Sequence, residues 1–280
     1  MILENDVCKV EISNVGAEIH HFINKKTNKE WMWDGDKAFW DQHNPILFPI
    51  VGSTFDKKIH LGQETYEMGN HGFARRALFT TQNSDLNSCE LLLESNMETL
   101  AQYPFEFKLK VRYDLDGTCL NITYTVENHS NKDMPFSIGF HPAFMTSHNG
   151  KDGSQVVRFS NQEKDLPQAI FNQEKNSLAF TDEFFKGTPT LLLENIVSPY
   201  VVLEDGNDTM KVNVVGYRWL AFWKKPEAKF LCIEPWHGHS DFEEVNCDFS
   251  EREGTLILKP KRIYTTTQTY VAGVKENNNV

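Results

Sequence analysis

The sequence predicts an all-β fold, a large antiparallel β-sandwich with few short helices, and three observations carry that prediction. Apolar and polar residues alternate in run after run, the period of a strand that buries one face. Clusters of Asp, Asn, Gly and Ser separate those runs and favour turns and hairpin connections. Strands do not alternate with helical patterns, as they would in a doubly wound parallel sheet.

Taken in order, the strand runs are "VCKVEI" from Val7, "CELLLES" from Cys89, "FEFKLKVRYDL" from Phe105, "CLNITYTVEN" from Cys119, "MKVNVV" from Met210 and "TLILKPKRIYTTTQTYVA" from Thr255. Within the third, Phe107, Leu109, Val111, Tyr113 and Leu115 step by two and define a buried face. The punctuation is "DLDGT", "ENHSNKD", "SHNGKDGS" and "EDGND", so consecutive strands are expected to be neighbours. One stretch has helical character: "SNMETLAQYP" offers Ser95 or Asn96 as a cap and Pro104 as a stop. With no fixed-period repeat and no shift in composition, residues 1–274 read as a single domain, and the polar end, 275–280, as a disordered tail. A β domain of this size closes or sandwiches its sheets to hide their edges.

Composition narrows the function. The chain has 280 residues, 40% of them hydrophobic, which suffices for a large core. A net charge of −11, without clustered Lys and Arg, argues against a nucleic-acid or anionic-membrane surface. Five scattered cysteines with no CxxC pair argue against a disulfide framework or a thiolate zinc site. The opening residues lack a basic-then-apolar leader pattern, and no apolar run approaches the ~20 residues of a membrane span. A cytoplasmic protein is expected.

Four stretches break the alternation by setting polar residues among apolar ones: "NPILFPIVG" (44–52), "GNHGFARR" (69–76), "FSIGFHPAF" (136–144) and "CIEPWHG" (232–238). Glu234 is the sharpest case. It follows Leu231, Cys232 and Ile233, which read as a strand entering the core, and a buried carboxylate must find partners or become neutral. His71 and His141 sit beside glycine or proline, where the backbone can approach a ligand closely. Each residue also has a bland explanation. A lone histidine among apolar residues is commonly a hydrogen-bonded structural one, Glu234 alone could belong to an ion pair, and Trp219, Trp223 and Trp236 are ordinarily core. Arg75 and Arg76 alone would be solvated charges at a strand start.

Another pattern, "HGHSDFEE", gives His237, His239 and Glu243 the H-x-H-x3-E spacing of a cupin metal site. The glycine that pattern shows upstream and a second proline-glycine-histidine motif downstream are both missing, so these histidines are assigned to the rim of a site. No G-x-S-x-G elbow, P-loop or G-x-G-x-x-G stretch occurs.

In order and spacing, the four stretches resemble the aldose 1-epimerase (galactose mutarotase) family, most closely its LacX-like branch. The resemblance spans most of the chain and rests on "NPILFPIVG", "HGFAR", "GFHPAF" and "IEPWHG". It implies a galactose mutarotase-like supersandwich with a sugar site in a cleft, and a role for each matching residue. His141 matches the general acid, Glu234 the general base and His71 a second histidine that contacts substrate. Arg75 matches a hydroxyl or ring-side contact, and Asp182 in "TDEFF" an aspartate that holds sugar hydroxyls. Trp236 would shape the cleft and offer an aromatic face. In one departure, Ser53 follows Gly52 where galactose-type members commonly carry an arginine, which removes a galactose contact.

The implied reaction is interconversion of the anomers of a free aldohexose by acid–base ring opening, with no cofactor and no metal. It needs Glu234 ionised and His141 protonated, each charge favouring the other. Two alternatives share the site: a hexose-6-phosphate 1-epimerase, and a non-catalytic carbohydrate-binding or sensing protein. A metal-dependent cupin is a further alternative. The expected partner is a small-molecule sugar, with no nucleic acid or membrane, and the chain is expected as a monomer or homodimer.

Overall fold

Hairpins set the architecture, as alternation and turn chemistry dictate. In the computed structural model, which describes residues 1–245 and 247–275, the strands Phe107–Asp116 and Cys119–Asn128 pair antiparallel along their full length, from Phe107 opposite Asn128 to Asp116 opposite Cys119. Residues stepping by two along both strands are buried. Gly117, at φ +56°, makes the tight connection. The same logic joins Tyr200–Asp205 to Asp208–Asn213 through Gly206 at φ +64°.

Among the described residues, the strands assemble into a ten-stranded sheet, a six-stranded sheet, a four-stranded sheet and two two-stranded ribbons. The six-stranded sheet runs Thr190–Glu194, Trp219–Trp223, Phe230–His237, Ile138–Phe140, Ile46–Leu47, and Ala143–Met145 also pairs with Phe230–His237. Aromatic contacts show the two large sheets face to face. Phe140 stacks on Tyr124 at 4.1 Å, Phe144 meets Tyr270 edge-on at 5.2 Å, and Phe180 lies against Phe222 at 4.9 Å. Each such ring removed from water contributes about 1.5–3 kcal/mol, with aromatic geometry adding somewhat more. One apolar cluster runs from Leu3 to Ala272 through this interface. The predicted antiparallel β-sandwich is therefore observed.

Helices are few and short. Met97–Gln102 begins at Asn96, whose side chain accepts from Glu98 and Thr99 N–H while Thr99 Oγ1 accepts from Asn96 N–H, a reciprocal cap. This is the helix that the cap-and-proline pattern predicts. Asp182–Gly187 is the other α-helix among the described residues, capped by Thr181. Of the expected tail, Lys275 is anchored: its N–H donates to Asn207 O over 2.8 Å and its ammonium meets Glu204 at 3.0 Å. The rest of 275–280 lies outside the described residues.

Candidate active site

The strand Phe230–His237 is buried on both faces, which explains its apolar run. Leu231 and Ile233 point into the main core, while Cys232, Glu234 and Trp236 step by two onto the opposite face. Register then brings the other stretches to Glu234. Gly139 lies opposite Trp236 and Ala143 opposite Cys232, so His141, between them, faces Glu234. On the other side Ala221 is the partner of Glu234, with Trp219 and Trp223 two residues away in either direction. The small alanine between two tryptophans leaves space above the carboxylate. Leu47 pairs with Gly139, which places "NPILFPIVG" beside "FSIGFHPAF" in the same sheet.

"HGFAR" attaches through its backbone. Phe73 and Ala74 N–H both donate to Phe48 O, and a Cβ on Gly72 would lie 2.2 Å from that oxygen, so only glycine fits. His71 adopts φ +64°; its N–H donates to Gly52 O, and its Nδ1 accepts from Gly52 N–H at 3.0 Å. The one-turn 3-10 helix Ala74–Arg76 turns Arg75 toward the same space, where its Nη1 donates to Gln42 Oε1 at 3.0 Å.

These residues enclose a cavity of about 270 Å³, close to the lower end of the ~300–1,000 Å³ usual for small-ligand sites. His71, Arg75, His141, Glu234 and Trp236 all line it. Glu234 is 0% exposed and Nε2 of His141 lies 3.2 Å from its Oε2. The contact is too poorly aligned to be a hydrogen bond, and both Glu234 oxygens, His141 Nδ1, Arg75 Nε and Trp236 Nε1 are buried without one. So many orphaned polar atoms around one cavity mark a place where a polar ligand supplies the missing partners.

Burial dominates the protonation states. It drives the Glu234 carboxyl well above the usual carboxylate range. Burial likewise lowers His141 to about 3, with the Arg75 charge acting in the same direction. Burial thus works against the mutual attraction expected of the reactive charged pair, and favours a carboxylic acid beside a neutral imidazole in the pair as it stands. It holds one proton, which can pass from Glu234 to His141 without changing net charge. His71 is also held neutral, well below its ordinary value, by burial first and then by His141 and Arg75.

Asp182 is not in the cavity. Its Oδ1 accepts from the Lys224 ammonium at 2.6 Å and its Oδ2 from Glu227 N–H at 2.8 Å, so both oxygens are committed to holding the loop from Lys224 to Glu227. A buried lysine needs that carboxylate, and the assignment of Asp182 to sugar hydroxyls is corrected on this ground. The cupin-type pattern also fails to converge. His237 Nε2 meets Tyr264 Oη at 3.0 Å, and His239 Nε2 lies 3.2 Å from Glu253. Among the described residues, the one set of three His, Cys, Asp or Glu side chains with ligating atoms within 4.8 Å of each other is His141, Cys232 and Glu234.

Five further residues line the cavity: Trp40, Asn70, Thr190 and Ser240, which the sequence did not single out, and Trp223, which it placed in the core. Trp40 and Trp223 pack against the His141 ring, at 4.8 and 5.4 Å, and meet each other edge-on at 5.3 Å. A signal for Trp223 existed in "WLAFW", where Trp219, Ala221 and Trp223 share one strand face. Ser53 stands back from the cavity, and its N–H donates to the Oγ of Ser240, which does line it.

The aldose 1-epimerase family model matches residues 1–270 of this chain. The plasmid-borne Protein LacX of Lactococcus lactis subsp. lactis is 28% identical over 282 residues, covering 91% of this chain and 94% of that protein. A galactose mutarotase-like protein from Lactobacillus casei superposes with a TM-score of 0.87 at 29% identity, over 98% of this chain and 99% of its own. A galactose mutarotase related enzyme from Lactobacillus acidophilus gives a TM-score of 0.88 at 28% identity, over 99% of this chain and 98% of its own.

Proposed function

Since the chain belongs to the aldose 1-epimerase family, we propose that it interconverts the α and β anomers of a free aldohexose, with Glu234 as general base and His141 as general acid. The observation that carries this reading is the buried pair, 3.2 Å apart and without hydrogen-bond partners, at the wall of a hexose-sized cavity. A sugar entering there brings the anomeric hydroxyl and the ring oxygen, both attached to one carbon, to two groups that share one proton.

In the reactive tautomer that proton is on His141 and Glu234 is the carboxylate. Glu234 takes the proton of the anomeric hydroxyl as its C–O bond becomes a carbonyl, the bond from C1 to the ring oxygen breaks, and His141 delivers its proton to that oxygen. Rotation about C1–C2 presents the other carbonyl face, and the same two transfers run in reverse. Protons balance without a cofactor. His71, with Nδ1 occupied by Gly52 N–H, has its proton on Nε2 and serves as a neutral donor to the sugar. The Arg75 guanidinium, with Nε unpartnered, is a second donor, and the Trp236 face is available to a C–H side of the ring.

One observation favours a neutral sugar over a hexose 6-phosphate. Arg75 is the single permanently charged cation among the lining residues, and part of its donor capacity already goes to Gln42. Polarimetry on freshly dissolved α-glucose, α-galactose and α-glucose 6-phosphate tests the reading. Accelerated decay with a free hexose, reduced ~10²–10⁴-fold by Glu234→Gln, is the expected result; an unchanged rate in that variant would overturn the assignment of the base.

A further inference from the structure

Cys232 has no part in the proposed ring opening, yet it sits on the same strand face as Glu234 and two residues before it. Its thiol, the His141 ring and the Glu234 carboxylate are all buried and have ligating atoms within 4.8 Å of one another. The two Glu234 oxygens and His141 Nδ1 are unpartnered, and Glu234 and His141 line the cavity that leads to bulk water. We infer that His141, Cys232 and Glu234 form a binding site for a thiophilic divalent cation of the Zn2+ or Co2+ kind, and that its occupation switches the sugar site off.

The donor set is chemically suited. A thiolate, an imidazole and a carboxylate are the three ligand types that zinc takes, and the two anions neutralise a divalent charge, which a buried site requires. Tetrahedral zinc needs ligand atoms about 3.5 Å apart. His141 Nε2 and Glu234 Oε2 already lie 3.2 Å apart, so the remaining approach is that of the Cys232 thiol, at most about an ångström. The open cavity supplies the fourth position, to a water. Hard oxygen-seeking cations gain nothing from the sulfur, so magnesium and calcium are discriminated against.

Binding must expel protons from the thiol and the carboxyl into solvent. Affinity should therefore rise with pH. A metal on this site takes the lone pairs of both the acid and the base, leaving no proton for either to carry. That loss of activity rests on the epimerase reading, whereas the binding does not.

The test uses the full chain, stripped of metal with a chelator. Titration with Co2+ should give thiolate-to-cobalt charge-transfer absorption saturating at one equivalent, displaced by Zn2+. Cys232→Ala should abolish that absorption, while Cys247→Ala, at a partly exposed thiol remote from the pair, should keep it. With anomer exchange as a second readout, the Zn2+ concentration for half-inhibition should rise with added hexose. In Cys232→Ala, judged against its own metal-free rate, it should rise by at least ~10-fold, since even an outer-shell partner of a metal ligand is worth about that. Absence of the cobalt band in the wild type, or its survival in Cys232→Ala, would overturn the site. A cobalt band without anomer exchange in the metal-free protein would support the site and count instead against the epimerase.

Discussion

Gly52 donates its N–H to Nδ1 of His71 over 3.0 Å, and this single bond decides which His71 nitrogen faces the cavity with a proton. The carbonyl of Gly52 accepts from the backbone N–H of His71 in return, so Gly52 holds both the main chain and the ring of residue 71. His71→Asn is the informative variant because asparagine tolerates the left-handed backbone at φ +64°. It should fold but lack a donor where Nε2 reaches, and a lost donor to developing charge costs about 10²-fold in rate. Anomer exchange with Tm measured in parallel checks this; a normal rate would confine His71 to a structural role.

Glu234 should weaken the fold it serves. Burial raises its carboxyl pKa in the folded chain above the unfolded value of about 4.3. Stability from this group is therefore complete below about pH 4.3 and declines as pH rises toward the folded pKa, because the unfolded chain alone gives up the proton. Glu234→Gln removes that decline. Its Tm should exceed wild type near pH ~8 and approach it near pH ~4, as read by calorimetry. A lower Tm at neutral pH would instead make the carboxylate a structural ion-pair member.

Asp182→Ala should act on stability before it acts on sugar. It strands the Lys224 ammonium, whose side chain is 0% exposed, and breaking such a pair costs about 3–5 kcal/mol. Denaturant unfolding should show that loss, while KM for hexose well below the melting range changes little. A stable protein with a raised KM would return Asp182 to the sugar site.

The two ways in which sequence reasoning met this fold have one physical cause. Phe107 to Leu115 announced itself because its pattern depends on local spacing alone, one face in and one face out. The stretches around Leu47, His141 and Glu234 broke that pattern because their sheet is covered on both sides, by the core beneath and by the cavity walls above. The break itself was the legible signal of a site. What stayed hidden depends on contacts between distant segments: Trp40 reaches His141 from a loop a hundred residues away in sequence, and Asp182 is drawn off by Lys224, a partner no spacing predicts. The balance of burial against attraction in the His141–Glu234 pair was hidden too, since it depends on how completely neighbours exclude water.

Gly139 sets the position of the Trp236 ring. The two face each other across the sheet, and a Cβ at 139 would lie 2.6 Å from Cδ1 of Trp236 and 3.1 Å from Cγ2 of Val51. Gly139→Ala should displace the indole toward the cavity, with an overpacking cost of about 1–3 kcal/mol. The expected result is a lower Tm together with a kcat/KM loss exceeding any loss from Val51→Ala. A fall in Tm alone would show that the indole position does not matter to the sugar.

Trp40 should tune the acid. Its ring lies 4.8 Å from the His141 ring, and Trp223 lies 5.4 Å away on another side, so the imidazolium formed when the proton leaves Glu234 faces aromatic π clouds. In this desolvated setting the attraction is worth about 1–2 kcal/mol per ring. It offsets part of the burial that lowers His141 to about 3. Trp40→Leu retains apolar bulk but removes the quadrupole. The reactive tautomer then becomes rarer, and kcat should fall about 5- to 30-fold for that energy. The acid limb of the pH–rate profile marks entry of a second proton onto the pair, so it should move to lower pH as the imidazolium becomes harder to form. Initial rates of anomer exchange across the acid range measure both effects. A fall in rate with an unmoved acid limb would mean that Trp40 only shapes the cavity.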